Sequence, residues 1–320
     1  MNKPQQPPGE LKWAGLVTVH AMNARLTPGT ILLLTIPPLM WACNAVMGRM
    51  LSPLIPPMML NLLRWSIAFV VLLPLAGWVL KPNSGLWPLW RRFALIGFLS
   101  VGFYNALQYL ALQTSTAINV TLVAASTPVW MLLIGRIFFG AKISRRQILG
   151  AALSIMGVLL VICRGQPQLL LKVELVLGDV YILLASLAWA WYSWMLASPN
   201  DPPKIRGNWA AFLIAQTVFG LGWSALLAAG EWALTDTQIQ WSWFLAGALL
   251  FIAIGPALLA YGCWAVGIGR AGPSMASFFA NLTPLFTAIL SSALLGEIPH
   301  LYHAVAFALI VGGIVVTSRR

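Results

Sequence analysis

The chain has 320 residues, of which 60% are hydrophobic and only 8% are charged. A soluble domain carries about 25% charged residues, so this chain has too few charges to cover a water-facing surface of its size. The composition excludes an ordinary soluble enzyme and a disordered chain, and it favours a protein embedded in a lipid bilayer. The net charge of +12 does not indicate a nucleic-acid partner, because the basic residues fall at the ends of apolar runs.

Residues 1–28 differ in composition from the rest, and they predict a cytoplasmic tail that is disordered or lies at the membrane interface. Ten apolar runs follow, each close to the length of about 20 residues that a membrane-spanning helix needs. They cover approximately 29–49, 57–80, 92–112, 117–139, 146–164, 177–198, 207–229, 243–267, 273–295 and 300–318. The connections are short, so the sequence predicts an all-α integral membrane protein of ten spans.

The distribution of Lys and Arg predicts the orientation of these spans. Fourteen of the 19 basic residues fall on one side of the predicted bilayer, whereas Arg49, Arg164 and Lys172 fall on the other. Because cytoplasmic loops are enriched in Lys and Arg, both termini are expected in the cytoplasm of a multi-pass inner (plasma) membrane protein.

A repeat divides the chain into two predicted five-helix halves, 29–164 and 165–320. Pro128 and Pro284 are 156 positions apart, and the same separation relates Gly140 to Gly296 and Gly157 to Gly313. With five spans in each half, the second half must enter the membrane in the opposite orientation. The basic loop at 142–146 and its counterpart at 297–300, which has no Lys or Arg, agree with such an inverted repeat, a common plan of transporters.

These landmarks resemble the EamA type of the drug/metabolite transporter superfamily, which has ten spans in two repeats. The matching features are the mid-span prolines Pro128 and Pro284, the Gly296-Glu297 pair, the late glycines and Arg64 in the second span. Ala141 departs from the pattern, since the family has a Glu there. The overall pattern is most similar to the YddG-type amino-acid exporters, and the resemblance implies export of neutral, in part aromatic, amino acids.

No catalytic signature and no Cys pair is present, and no acidic residue falls at the middle of a predicted span. We therefore expect a non-enzyme without cofactor or metal, whose transport is uncoupled or weakly coupled to ions. The expected partners are the lipid bilayer and a small-molecule substrate, with a monomer favoured.

Buried amides need hydrogen-bond partners, and deep aromatic rings can line a cavity. Mid-depth residues of these types are therefore the site candidates, each of which could equally serve helix packing. The substrate-binding candidates are Trp41, Asn44, Tyr104, Gln108, Trp189, Tyr192, Tyr261 and Asn281, and the wider set adds Asn105, Asn119, Ser193 and Trp264.

Arg64 is a charged residue inside a span, which makes it a functional candidate or a structural group bonded to free carbonyls. Pro128 and Pro284 are predicted hinges, because proline leaves the carbonyl four residues earlier without its helical donor. Together with prolines in spans 1 and 8, they predict a central cavity lined by spans 1, 4, 8 and 9.

The favoured function is a carrier that exports small neutral or zwitterionic solutes by alternating access. Another small metabolite or a drug remains an alternative cargo. The remaining alternatives are a membrane-embedded enzyme and a channel. An enzyme would need an acid–base or metal cluster, and a channel would favour a continuous polar stripe or charged ring. The sequence shows none of these features.

Overall fold

The computed structural model describes residues 27–162, 165–166, 176–197, 201–236 and 238–318, and these residues form helices and turns with no strand among them. The predicted tail before residue 27 and the basic residues Arg164 and Lys172 lie outside these ranges. The principal helices are α1 (Pro28–Leu51), α2 (Pro57–Ala76), α3 (Trp90–Gly97, Phe98–Tyr104 and Asn105–Thr114), α4a (Ala117–Ala124), α4b (Thr127–Phe138), α5 (Arg145–Ile162), α6 (Leu177–Ala197), α7 (Trp209–Leu234), α8 (Trp243–Ile252, Ala253–Leu259 and Ala260–Ala271), α9a (Pro273–Ala280), α9b (Thr283–Leu294) and α10 (Leu301–Ser318).

Six helical stretches are long and apolar enough to cross a membrane. They are Pro28–Leu51, Pro57–Leu80, Trp87–Thr114, Ala117–Phe138, Trp209–Leu234 and Trp243–Ala271. Thr283–Leu294 and Leu301–Gly313 are apolar but shorter. The fold is thus that of an all-helical membrane protein, and the full count of ten spans stays a prediction.

The second half of the chain repeats the helix boundaries of the first. α4a and α9a, α4b and α9b, and α5 and α10 each begin and end 156 positions apart. Gly140 and Gly296 follow α4b and α9b with φ values of 64° and 66°. Glycine adopts this left-handed conformation without steric cost, so both helices end in the same turn.

α5 and α10 pack against each other through glycines. A Cβ at Gly157 would stand 2.7 Å from the main-chain oxygen of Ala306, and one at Gly313 would stand 2.5 Å from that of Gly150. Moving along α5 from 150 to 157 therefore moves the contact backward along α10 from 313 to 306. The two helices are antiparallel, and their contacts are reciprocal, as across a two-fold axis.

The mid-span prolines lie at helix breaks. α4a ends at Ala124, and Pro128 occupies the first turn of α4b, where its missing N–H costs nothing. The main-chain oxygen of Ala124 accepts a hydrogen bond from Thr127 Oγ1 at 2.6 Å. Pro284 lies likewise in the first turn of α9b. The expected kink is thus a full interruption, and its role as a hinge stays a prediction.

α3 and α8 each contain a π-helical turn, at Phe98–Tyr104 and Ala253–Leu259, and the second includes Pro256. Such turns leave main-chain oxygens outside the regular helical ladder and often occur at functional sites. Both lie next to the aromatic residues described below.

Candidate functional site

A cluster of seven aromatic side chains fills the junction between helices of the two halves. We call it the aromatic cluster; its members are Trp41 of α1, Trp65 of α2, Tyr104 of α3, Trp189 and Tyr192 of α6, and Tyr261 and Trp264 of α8. Trp189 is at its centre, with ring centroids 4.8 Å from Tyr104, 5.2 Å from Trp41 and 5.2 Å from Tyr261. Most of these contacts are edge-to-face or tilted, the arrangements that aromatic quadrupoles favour.

All five aromatic binding candidates belong to this cluster, and these five lie up to 220 positions apart in the chain. The cavity expected between spans 1, 4, 8 and 9 stays a prediction. The rings come from α1, α2, α3, α6 and α8, and they occupy the junction themselves, with Trp189, Tyr192 and Tyr261 almost fully buried.

Arg64 lies beside the cluster and organises a hydrogen-bonded network, which we call the Arg64 network. Its Nη1 donates to Asn44 Oδ1 at 2.9 Å and to the hydroxyl of Tyr109. The Tyr109 hydroxyl donates to the same Asn44 Oδ1 at 2.7 Å, and Asn44 Nδ2 donates to Gln108 Oε1 at 3.2 Å. The predicted amides Asn44 and Gln108 are therefore joined to the predicted cation.

Arg64 also contacts two rings directly. Its Cζ is 5.2 Å from the ring centroid of Trp65 and 5.6 Å from that of Tyr109, within the range of cation–π attraction. Trp65 is in turn 5.0 Å from Tyr261, edge to face. The Arg64 network and the aromatic cluster thus form one continuous candidate site.

The π-helical turn of α3 supplies a further polar contact at the edge of this site. Asn105 Nδ2 donates to the main-chain oxygen of Ser100 at 2.6 Å and to the Tyr261 hydroxyl at 2.9 Å, and that hydroxyl donates to the Ser100 oxygen at 3.1 Å. Because Asn105 belongs to the first half and Tyr261 to the second, this contact joins the two halves at the site.

No hydrogen bond connects the predicted amide Asn281 to this network. It lies at the break before α9b with 1% of its surface exposed, and neither its amide nitrogen nor its amide oxygen has a partner. The hydroxyls of Thr287 and Ser291 on α9b are also buried without partners. Thr287 and Ser291 are four positions apart and share one face of α9b, and we call these two residues the α9 stripe.

The sequence analysis missed Trp65, Tyr109 and Asn61. Trp65 adjoins Arg64 in the chain, and Tyr109 follows Gln108, so adjacency to residues already singled out was the available signal. Asn61 lies one helical turn before Arg64 and donates from Nδ2 to the Val101 oxygen at 2.8 Å.

Asn119, expected at mid-depth, lies instead in the first turn of α4a. Its Oδ1 is 3.1 Å from Nε2 of His303, whose Nδ1 accepts from the main-chain nitrogen of His300 at 2.9 Å. Nearby, Glu297 accepts hydrogen bonds from the main-chain nitrogens of Ala117 and Ile118 at 3.2 and 3.4 Å. These hydrogen bonds connect the α9–α10 loop and the start of α10 to the start of α4a. In the described part of the chain, no group of three His, Cys, Asp or Glu residues is arranged to hold a metal.

A family model described as the EamA-like transporter family matches the chain twice, at residues 28–163 and 176–319. Several curated transporters are similar over most of their length. The chain is 25% identical to an "Uncharacterized transporter" of Archaeoglobus fulgidus over 91% of this chain and 98% of that protein.

It is 26% identical to a "Probable amino-acid metabolite efflux pump" of Salmonella typhimurium, covering 80% and 84% of the two chains. It is also 24% identical to the "Uncharacterized inner membrane transporter YedA" of Escherichia coli, covering 82% of each. A solved crystal structure shares the fold with a TM-score of 0.65 at 21% identity, covering 91% of this chain and 96% of the other. The chain therefore belongs to the EamA-like transporter family and is a multi-pass membrane transporter.

Proposed function

We propose that the protein exports small neutral or zwitterionic solutes across the inner membrane, with apolar and aromatic amino acids as the first candidates. The observation that supports this most directly is the junction of the aromatic cluster with the Arg64 network. The rings offer contact to an apolar body, whereas the amides, hydroxyls and the guanidinium offer hydrogen bonds to a polar headgroup. The similarity to a named amino-acid metabolite efflux pump points to the same class of cargo.

The charges in the described helices disfavour other cargoes. Asp179, Asp201, Glu231, Asp236 and Glu297 all lie near helix ends or in loops, so a cation finds no carboxylate beside the cluster. Arg64 is the one cation of the site, which is too little for a strongly anionic solute. The same absence of a mid-depth acid in the described residues supports transport without a proton or sodium relay, for which intramembrane carboxylates are the usual groups.

We further propose that transport proceeds by alternating access between two inverted five-helix repeats, 29–164 and 165–320, with both termini in the cytoplasm. The repeated helix boundaries and the reciprocal α5–α10 contact support this arrangement. In such carriers the two halves rock around a site at their interface. In this proposal the breaks at Pro128 and Pro284 supply the hinges.

The test is flux into or out of proteoliposomes that contain the purified protein. A neutral aromatic amino acid is compared with a lysine-like cation and with a phosphorylated solute at equal concentration. We expect saturable transport of the neutral amino acid at several times the rate of either charged solute. Faster movement of a charged solute would reject the proposed cargo, and non-saturating flux would indicate a channel. Equal flux with and without a proton or sodium gradient is expected for an uncoupled carrier.

A further inference from the structure

Arg64 is a buried cation that meets only neutral partners. One per cent of its surface is exposed, and its guanidinium donates to the Asn44 amide oxygen and the Tyr109 hydroxyl. Arg92, by contrast, forms an ion pair with Asp201 at 2.6 Å. A buried charge without an opposite charge is costly in a protein interior, so the Arg64 site favours an anionic group from outside the chain.

Unpartnered donors show where such a group would bind. The Nε of Arg64 and the indole Nε1 of Trp65 are both buried, and neither has an acceptor. A carboxylate is the natural ligand, because a guanidinium binds its two oxygens through parallel hydrogen bonds. The Arg64 Cζ is 5.2 Å from the ring centroid of Trp65, so the two side chains lie together and one small anion can approach both.

An unpartnered acceptor lies on the same part of α2. Asn61 Oδ1 is buried without a donor, while its Nδ2 is already held by the Val101 oxygen and the Ser224 hydroxyl. Because those two bonds fix the amide orientation, the free atom is the acceptor. Asn61 precedes Arg64 by three positions and Trp65 by four, the spacings that place side chains next to each other on a helix.

This arrangement matches the headgroup of an α-amino acid, in which a carboxylate and an ammonium are attached to one carbon. The cargo's side chain would then point along Trp65 toward Tyr261, 5.0 Å away, and on to Trp189. We propose that Asn61, Arg64 and Trp65 form a headgroup site on α2, in which Arg64 and Trp65 bind the carboxylate and Asn61 accepts from the ammonium. The inference rests on the proposed export of amino acids, and it names the residues that bind the headgroup of the transported amino acid.

The experiment uses three ligands that differ only at the headgroup: phenylalanine, phenethylamine, which lacks the carboxylate, and 3-phenylpropionate, which lacks the ammonium. Each is tested as a competitor of radiolabelled phenylalanine uptake into proteoliposomes. For the unmodified protein, we expect both truncated ligands to compete about tenfold or more weakly than phenylalanine, the usual effect of losing a hydrogen bond to a charged group.

Two variants then separate the two ends of the headgroup. Arg64→Gln should lose the discrimination against phenethylamine but keep that against 3-phenylpropionate, and Asn61→Ala should do the reverse. Arg136→Gln is the matched control, because it makes the same substitution at an exposed arginine of α4b outside the site; both preferences should persist. If Arg64 and Asn61 had only a structural role, each variant would lower the affinities for all three ligands together, and neither would lose its discrimination against one ligand alone.

The outcomes are distinguishable. If Arg64→Gln transports phenylalanine and still rejects phenethylamine, the headgroup site is wrong although amino-acid transport stands. If no phenylalanine is transported and none of the three ligands binds, the proposed function itself fails. Should Arg64→Gln not fold, the thermal shift of the unmodified protein decides: phenylalanine must stabilise it more than either truncated ligand, and equal shifts would overturn the proposal.

Discussion

The carboxylate of Glu297 accepts a hydrogen bond from the main-chain nitrogen of Ala117, 3.2 Å away, and so caps a helix of the first half with a residue of the second. An acidic group at a helix start satisfies free N–H groups and complements the helix dipole. The equivalent contact at the opposite end of the molecule cannot form. Position 141, which corresponds to Glu297, is Ala, and position 273, which corresponds to Ala117, is Pro, which has no N–H to donate.

This asymmetry predicts that Glu297 favours closure of the side of the transporter on which it lies. Replacing Glu297 by Ala should shift the population about tenfold toward the state open on that side, as expected for loss of charge-assisted hydrogen bonds. The readout is modification of a Ser291→Cys reporter on the α9 stripe by a membrane-impermeant maleimide, in a background whose three natural cysteines are replaced by Ser.

Glu231→Ala is the matched control, because Glu231 caps the start of α2 through Met58 and Met59 in the same way. Glu231 connects α7 to α2, and neither helix is part of the contact between α4a and the α9–α10 loop. Labelling of the reporter should therefore not rise in this variant. Unchanged labelling in Glu297→Ala, or an equal rise in both variants, would contradict a gating role for Glu297.

The close contact between α5 and α10 predicts that the protein loses stability when a glycine in it is replaced by a larger residue. Gly157→Ala places a methyl group 2.7 Å from the Ala306 oxygen, and a backbone atom cannot move aside as a side chain can. We expect destabilisation by about 1–3 kcal/mol, typical of overpacking, seen as a lower melting temperature in detergent. Gly222→Ala meets nothing within 4 Å and should keep or raise the melting temperature; a similar loss in both variants would refute the packing argument.

The position of Trp189 predicts that its loss weakens ligand affinity without preventing insertion of the protein in the membrane. Trp189→Ala removes the ring that contacts Trp41, Tyr104, Tyr192 and Tyr261, and each such pair contributes about 0.5–1.5 kcal/mol. We expect the apparent affinity for an aromatic amino acid to fall about tenfold or more, with protein still inserted in the membrane. Trp243→Ala, at a position 95% exposed, should leave the affinity unchanged. Equal affinity in the two variants would exclude the cluster from binding.

The helix breaks at the two prolines predict slower transport when proline is replaced by alanine. Pro128→Ala and Pro284→Ala each restore a main-chain N–H that can bond the carbonyl four residues earlier, which favours a continuous and stiffer helix. We expect transport rates per molecule to fall several-fold while melting temperatures stay near that of the unmodified protein. Normal rates in both single variants and in the double variant would remove the prolines from the mechanism.

The sequence by itself determined the membrane environment, the helical class and the family. These follow from local quantities: the number of apolar residues in a row, the scarcity of charges, and landmarks at a constant spacing. Arg64, Asn44 and Gln108 were also identifiable, because a polar side chain in an apolar span needs a partner whatever the tertiary structure.

The tertiary structure decided which of those partners meet. Trp65 and Tyr109 belong to the site because α2 and α3 place them against Arg64, and their only signal in the sequence is adjacency to Arg64 and Gln108. The aromatic junction of α1, α2, α3, α6 and α8 was not predicted as a cluster, because helix breaks free backbone groups but do not determine which side chains meet beside them. Asn119 moved from mid-depth to a helix start for a related reason: hydropathy locates a span to within a few residues, whereas capping by Thr116 and Glu297 determines where the helix begins.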